Sequence, residues 1–113
     1  MTLASRMLTL ATPTADVAVP VIIDDPIAAD GCWECRYEIG WPEGVKRSRA
    51  RGFDGVQALY LAMQAIAVHL YASPHHAAGT LYWGKPGSGY GFPMPRPGLV
   101  DLVGEDCLAQ LPD

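Results

Sequence analysis

Hydrophobic and polar residues alternate most regularly in the stretch Cys32–Gly40. Every second position carries a side chain suited to a core, namely Trp33, Cys35, Tyr37 and Ile39. The positions between them are charged, namely Glu34, Arg36 and Glu38. Because successive side chains of a β-strand point to opposite faces, this period of two predicts a strand with one buried face.

A second strand, Val45–Arg51, follows the compact turn Trp41–Gly44, and the two strands form a predicted hairpin. Placing Gly40 opposite Val45 sets the register. The opposed residues are then Glu38 and Arg47, Glu34 and Arg51, Tyr37 and Ser48, and Cys35 and Ala50. Charges pair on one face only, and each cross-strand pair contributes about 0.2–1 kcal/mol, so the pairs support the register without driving folding.

The segment Asp54–Tyr71 changes to a helical period. Its apolar side chains recur at helical spacing, namely Val56, Leu59, Tyr60, Met63, Ile66, Ala67 and Leu70. Asp54 and Gln57 match a capping box at the first turn, and Ser73 with Pro74 ends the helix.

We expect this helix to cover the apolar face of the first hairpin strand. The packing partners are then Trp33, Cys35, Tyr37 and Ile39. Met63 and Ile66, near the middle of the helical stripe, are predicted to be buried.

The N-terminal stretches Ser5–Ala11 and Asp16–Ile23 are predicted to be two strands joined by a turn. Pro20 has no backbone N–H to offer a ladder and therefore places the second strand near an edge or a bulge. Asp24–Gly31, rich in Asp and containing Pro26, is predicted to be a loop.

After the helix, His75–Gly79 is predicted to be a loop and Thr80–Trp83 a short strand. Glycine and proline leave no regular element in 84–98. Leu99–Asp113 is predicted to be a strand or a docked tail, loosely ordered over 104–113. The whole chain, 1–113, is read as one α+β domain with two layers, an antiparallel β-meander of four to five strands and one long helix packed on one face.

Composition narrows the function classes. Half of the 113 residues are hydrophobic, 18% are charged and the formal net charge is −4. No apolar run reaches the length of about 18 residues that suggests a membrane span. The acidic balance makes nucleic-acid binding an unfavoured function. We predict a cytoplasmic protein with reduced thiols. The N-terminus has no signal-like apolar core, and the number of cysteines is odd.

Residues with catalytic or metal-binding chemistry form no recognisable motif. Cys32 and Cys35 lie on opposite faces of one strand, so neither a disulfide between them nor a shared metal is expected. The other candidate ligands, His69, His75, His76 and Cys107, match no metal spacing, and the histidines are expected to be solvated. Pro86 removes a donor from the glycine-rich segment Gly84–Gly91, which is therefore no phosphate loop. We predict no catalytic residue, no metal and no cofactor, and we favour a non-enzymatic function over an enzyme.

The strand Val45–Arg51 is basic, with Lys46, Arg47, Arg49 and Arg51. Such a strand can bind an acidic partner or a nucleic-acid backbone. Because Glu34 and Glu38 neutralise much of it, a solvated sheet face is the favoured interpretation.

The segment Tyr82–Arg96 combines aromatic residues, Met and Arg with Gly and Pro. These residue types are enriched at interfaces, and the predicted partner-binding residues are Tyr82, Trp83, Tyr90, Phe92, Met94 and Arg96. The alternative is that the aromatic side chains fold back and seal the open end of the sheet.

Three stretches carry a family resemblance, the hairpin GCWECRYEIGWPEG, the helix start RGFDGVQAL and its continuation LAMQAIAVHL. They resemble a small bacterial family known only as a domain of unknown function. The resemblance implies a bacterial, cytoplasmic, free-standing protein and brings no functional residue with it.

From the residues we expect a non-enzymatic protein-binding or accessory module, for example one resembling an immunity protein. Its partner is then another protein or a second copy of the chain. We expect no binding to a membrane. The alternative is a small-molecule-binding protein or an uncharacterised hydrolase.

Overall fold

The fold is an antiparallel six-stranded sheet with one main helix, in a computed structural model that describes residues 1–95. In chain order the elements are β1 (Thr2–Ala11), β2 (Asp16–Asp24), β3 (Ile27–Ala29), β4 (Cys32–Trp41), β5 (Gly44–Gly52), α1 (Gly55–Tyr71), α2 (Pro74–Ala77) and β6 (Leu81–Tyr82). The predicted α+β class and antiparallel sheet are therefore confirmed, with six strands in place of four to five. The predictions for Arg96, Cys107 and the C-terminal tail lie outside the described residues.

Strand β4 is the centre of the sheet. One of its edges pairs with β5 along its whole length, and the other edge pairs with β3 at its start and with β2 further on. Strand β2 also pairs with β1, and the short β6 pairs with the far edge of β1. Strands β1 to β5 therefore form a meander. The last strand, β6, pairs with β1 at the edge of the sheet opposite β5.

The prediction that Asp24–Gly31 is a loop is wrong for Ile27–Ala29, which is strand β3. Asp30 and Gly31 both have positive φ, 48° and 81°, and form a two-residue turn from β3 into β4. Such turns match the right-handed twist of a hairpin, and Asp-Gly is among their strongest sequence signals. The Asp-Gly signal is present in the sequence, and Pro26 directly precedes the short strand without preventing it.

Pro20 lies within an internal strand rather than near the edge of the sheet. Its strand pairs with β4 only through Val21–Ile23, so Pro20 lies just beyond the ladder that its missing N–H would interrupt. Its ring packs against Gly40, where an added Cβ would lie 2.8 Å from the Pro20 Cγ atom. Glycine at position 40 therefore allows β2 and β4 to approach each other.

The predicted hairpin register between β4 and β5 is confirmed at every pair, including Gly40 opposite Val45. Trp41 and Gly44 also pair, so the connecting turn is two residues long. The helix start is confirmed as well. Asp54 accepts from the Gln57 backbone N–H at 2.8 Å, and the Gln57 side chain accepts from the Phe53 N–H.

Ser73 ends one helix and begins the next. Its hydroxyl donates to the Leu70 carbonyl at 2.8 Å and accepts from the His76 N–H at 3.1 Å. The prediction that His75–Gly79 is a loop is therefore wrong at its start, because α2 occupies Pro74–Ala77. Proline at the first helical position costs no hydrogen bond there.

Helix α1 lies against β4 and β5. Its buried side chains in the core are Ala58, Leu61, Ala62, Ala65, Ile66 and Leu70. They meet strand residues that include Leu8, Val19, Val21, Cys35, Tyr37 and Ile39. Three of the six helix residues are alanines, whose small side chains let the helix approach the sheet closely.

Ile66 is buried as predicted, but several other expected core positions, including Leu59 and Tyr60, are not fully buried. Val56 is 77% exposed, Trp33 is 38% exposed and Met63 is only partly buried. Trp33 lies at the start of β4 beside Gly55, the first residue of α1, where the helix has only begun to cover the sheet. The predicted stripe consisted mainly of large apolar side chains, whereas alanines make up half of the helix residues in the core between helix and sheet. Within residues 1–95 no helix is both long enough and apolar enough to cross a membrane.

Replacing Ile66 with Ala is expected to lower the free energy of unfolding by about 2–5 kcal/mol, because it opens a cavity between helix and sheet. Urea denaturation measures the change. The matched control is Val56→Ala on the same helix, where the exposed side chain loses few contacts and the change should stay within about 0.5 kcal/mol. Equal effects of the two substitutions would contradict the packing described above.

Candidate functional site

The residues predicted to bind a partner are anchored by Arg6 of strand β1. The Arg6 Nη1 atom donates to the backbone carbonyls of Tyr90 and Gly91, at 3.0 Å each. The guanidinium carbon lies 3.9 Å from the ring centre of Trp83 and 4.8 Å from that of Phe92. These distances allow cation–π attraction to both rings. Arg6 therefore holds the aromatic segment against the sheet.

Gly91 is required by this arrangement. Its φ is +77°, and an added Cβ would lie 2.5 Å from Trp83 Cζ3 and 2.7 Å from Arg6 Nη1. The sequence analysis missed Arg6, although an arginine within an otherwise uncharged strand was a visible signal.

The structure places the predicted partner-binding residues in different environments. Tyr90 is only 3% exposed and belongs to the core. Phe92 is half-buried, while Trp83 and Met94 are 39% and 47% exposed. Tyr82 donates to the Asp16 carboxylate at 3.2 Å. Arg96 lies outside the described residues. Among the others, Trp83 and Phe92 meet around Arg6, and Tyr82 and Tyr90 line one cavity.

A cavity of about 350 Å³ opens beside the buried Tyr90. It is lined by Tyr71, His76, Gly79, Leu81, Tyr82, Gly87, Gly89 and Tyr90. The ring centres of Tyr71 and Tyr90 lie 4.8 Å apart, and His76 meets Tyr71 edge-on at 4.9 Å. His76 Nδ1 lies 2.6 Å from the Tyr90 hydroxyl, whose pKa is raised by burial and by the nearby Tyr71.

The other two histidines also contact aromatic rings, so the expectation of solvated histidines is wrong for them. His75 lies 5.2 Å from the ring centre of Trp41, and its Nε2 atom lies 3.0 Å from a Glu43 oxygen. This hydrogen bond lowers the pKa of Glu43. His69 is half-buried, 6.1 Å from the Tyr37 ring, and burial followed by the charge of Lys46 lowers its pKa. Within the described chain no three potential ligands are grouped to hold a metal ion.

The two cysteines of β4 differ sharply. Cys35 is fully buried and free, its Sγ lies 3.4 Å from the Asp24 carbonyl, and its pKa is raised to about 11, first by burial and then by the charges of Asp24 and Asp25. Cys32 is disulfide-bonded. The prediction that all thiols are free is therefore wrong for Cys32, and reduced thiols no longer support the cytoplasmic location, which stays a prediction.

The sheet face opposite α1, which we call the outer face, carries four of the chain's eight Lys and Arg residues. The register places Arg36 of β4 and Arg47, Arg49 and Arg51 of β5 on this face, together with Glu34 and Glu38. Lys46 lies opposite Ile39, on the helix side, so it does not belong to the predicted basic surface.

Glu34 sits between two arginines that oppose each other across the strands. Its carboxylate accepts from Arg36 Nε at 3.0 Å and lies 3.3 Å from Arg49 Nε, whereas Arg51, its partner in the register, makes no such contact among the residues described. Glu38 lies 3.8 Å from Arg47 Nε. Glu34 thereby relieves the repulsion expected between Arg36 and Arg49.

An apolar row crosses the outer face next to these charges. Met7 pairs with Pro20, and Gly40 pairs with Val45, while Pro20 packs against Gly40. Met7 is 58% exposed and Val45 is 46% exposed. The outer face therefore joins exposed apolar side chains to arginines.

This geometry defines the class of the protein as a small α+β domain with an antiparallel sheet, whose outer face is not covered by any helix within residues 1–95. Residues 4–94 match the family described as Domain of unknown function (DUF6968), and the chain belongs to that family. The resemblance found in the hairpin and helix motifs is thereby confirmed for the family. No curated protein and no solved structure matches the chain.

Replacing Trp83 and Phe92 together with Ala is expected to lower Tm by several degrees, because both rings pack on Arg6 and cover β1. Each kcal/mol lost corresponds to about 4 °C or more in a domain of this size. Met94→Ala is the control and should melt like the wild type, since that side chain is exposed. A double variant with unchanged Tm would support the partner-binding prediction for these rings instead.

Cys35 is expected to resist alkylation in the folded protein at pH 8, because a pKa of about 11 and complete burial leave almost no accessible thiolate. Unfolding in urea without a reductant should make Cys35 reactive while Cys32 stays blocked. Mass spectrometry of peptides alkylated before and after reduction measures both sites. Rapid labelling of Cys35 in the folded protein, or of Cys32 before reduction, would contradict the structure.

Proposed function

We propose that this protein is a non-enzymatic binding module whose outer face binds an acidic segment of another protein. One observation carries the proposal. On this face the arginine side chains extend into solvent, and the carboxylates that pair with them lie beneath. The exposed fractions are 73% for Arg47, 63% for Arg36 and 52% for Arg49, against 34% for Glu38 and 8% for Glu34.

This difference in depth makes the face more basic than its composition suggests. An incoming partner meets the guanidinium groups first and the carboxylates only beneath them. The ion pairs engage the Nε atoms of the three arginines, and each guanidinium also carries terminal N–H donors that can pair with a carboxylate. Electrostatic attraction of this kind speeds association and selects partners of opposite charge.

The apolar row supplies the second component of a protein interface. Met7 and Val45 are exposed, and Pro20 and Ile22 lie partly exposed between them on β2. Met and Arg are enriched in the buried centres of protein interfaces. Charged pairs at the exposed rim of an interface contribute less to affinity than apolar contacts at its centre. A partner that combines acidic and apolar residues therefore fits this face.

Charge favours an acidic protein over the other two candidate partners. The chain as a whole has a net charge of −4, which disfavours an extended polyanion such as nucleic acid. A second copy of the chain, docked through the same face, would bring two arginine-rich faces together, and their like charges disfavour that contact. The proposal includes an accessory or immunity-like role and a cytoplasmic location.

Selection from a displayed peptide library tests the proposal. We expect the selected peptides to combine Asp or Glu with apolar residues and to bind more weakly as salt is added. Arg47→Glu should weaken binding of a selected peptide by about tenfold or more, which corresponds to about 1.4 kcal/mol. Isothermal titration calorimetry measures the affinity.

Lys85→Glu is the matched control, because it makes the same change in charge at an exposed residue of the segment that covers β1. Its peptide affinity should stay close to that of the wild type. Selected peptides without acidic residues, or equal losses in the two variants, would contradict the proposal. So would tighter binding of a single-stranded oligonucleotide than of any selected peptide.

A further inference from the structure

We propose that the cavity beside Tyr90 binds a neutral, planar aromatic small molecule. The cavity has a volume of about 350 Å³, within the lower part of the range of about 300–1,000 Å³ that ligand sites occupy. It lies between the end of α1, the short α2, strand β6 and the glycine-rich segment. This site is separate from the outer face and goes beyond the function proposed for it.

Four of the eight lining residues carry rings, Tyr71, His76, Tyr82 and Tyr90. The Tyr71 and Tyr90 rings are inclined by 47°, and the His76 ring stands nearly perpendicular to both, at 76° and 77°. Such a set offers both faces and edges for stacking with a further ring. Leu81, only 5% exposed, adds an apolar side chain.

The remaining lining is glycine backbone. Gly79, Gly87 and Gly89 all have positive φ, between 73° and 82°, and none places a side chain in the space. A Cβ added to Gly89 would lie 3.2 Å from the Tyr71 hydroxyl oxygen. The ligand can therefore approach the backbone closely, as flat molecules do when glycine forms part of a site.

The polar groups of the cavity suit a ligand without charge. Among the residues of 1–95 that line it, none is Asp, Glu, Lys or Arg. His76 Nδ1 lies 2.6 Å from the Tyr90 hydroxyl, which also lies 3.4 Å from the Leu81 carbonyl. The second ring nitrogen of His76 and the Tyr71 hydroxyl offer directed hydrogen bonds to the edge of a heteroaromatic ring.

NMR titration of the full ¹⁵N-labelled chain tests the site, with indole as the planar neutral probe. Choline serves as the cationic probe and cyclohexanol as the neutral, non-planar one. We expect indole to cause saturable shifts at the amides of Leu81, Gly87 and Gly89. The other two probes should cause no saturable shift at these amides.

Two substitutions locate the binding. His76→Ala removes an exposed ring, and Tyr82→Leu removes a ring whose hydroxyl donates to the Asp16 carboxylate. Each substitution should weaken indole binding by at least fivefold. The amide signals away from the cavity should keep the positions they have in the folded wild type. Phe53→Leu, at a ring that is 58% exposed away from the cavity, is the matched control and should leave the affinity unchanged.

The proposal fails if indole gives no saturable shift up to its solubility, or if its shifts lie outside the cavity. Saturable binding of choline in place of indole would identify an aromatic cage for an ammonium group and would also overturn it. An equal effect of Phe53→Leu and His76→Ala would show non-specific binding. Arg47→Glu should not change indole binding, so failure here is distinguishable from failure of the proposed function.

Discussion

The width of the sheet constrains everything else in this fold. Strands lie about 4.8 Å apart, and a helix with its side chains is about 10–12 Å wide, so one helix covers little more than two strands. Helix α1 lies against β4 and β5 and leaves the side of β1 to be covered by other residues. The segment after β6 covers it, with Tyr90 in the core and Arg6 holding the chain in place. A glycine-rich stretch can follow this path because its turns need positive φ at several positions.

Helix α1 and the segment after β6 share one face of the sheet, and this arrangement explains which side chains remain available for binding. The helix, Tyr90 and Phe92 are all used on one face of the sheet, so the outer face has its arginines and its apolar row exposed. The cavity beside Tyr90 arises where α2 and β6 meet the glycine-rich segment. Both proposed sites are thus consequences of a single helix that covers a sheet wider than itself.

Local patterns predicted well the elements whose interactions are close in sequence. The hairpin of β4 and β5 is one example, because two alternating strands and a short turn allow few registers, and charge pairing selects one of them. The helix cap at Asp54 is another, since Asp54 and Gln57 lie within one turn. The Asp-Gly turn before β4 belongs to the same class, because Asp30 and Gly31 carry the signal in two adjacent residues.

The sequence by itself determined the α+β class, the order of the main elements and the two faces of β4, because these depend on periodicity and on neighbours along the chain. Only the tertiary structure decided that Arg6 meets Trp83 and Phe92, more than 75 residues away, and that Tyr90 is a core residue. It also decided that Glu34 lies beneath Arg36 and Arg49. Such contacts depend on which surfaces the helix leaves uncovered, and no local pattern carries that information.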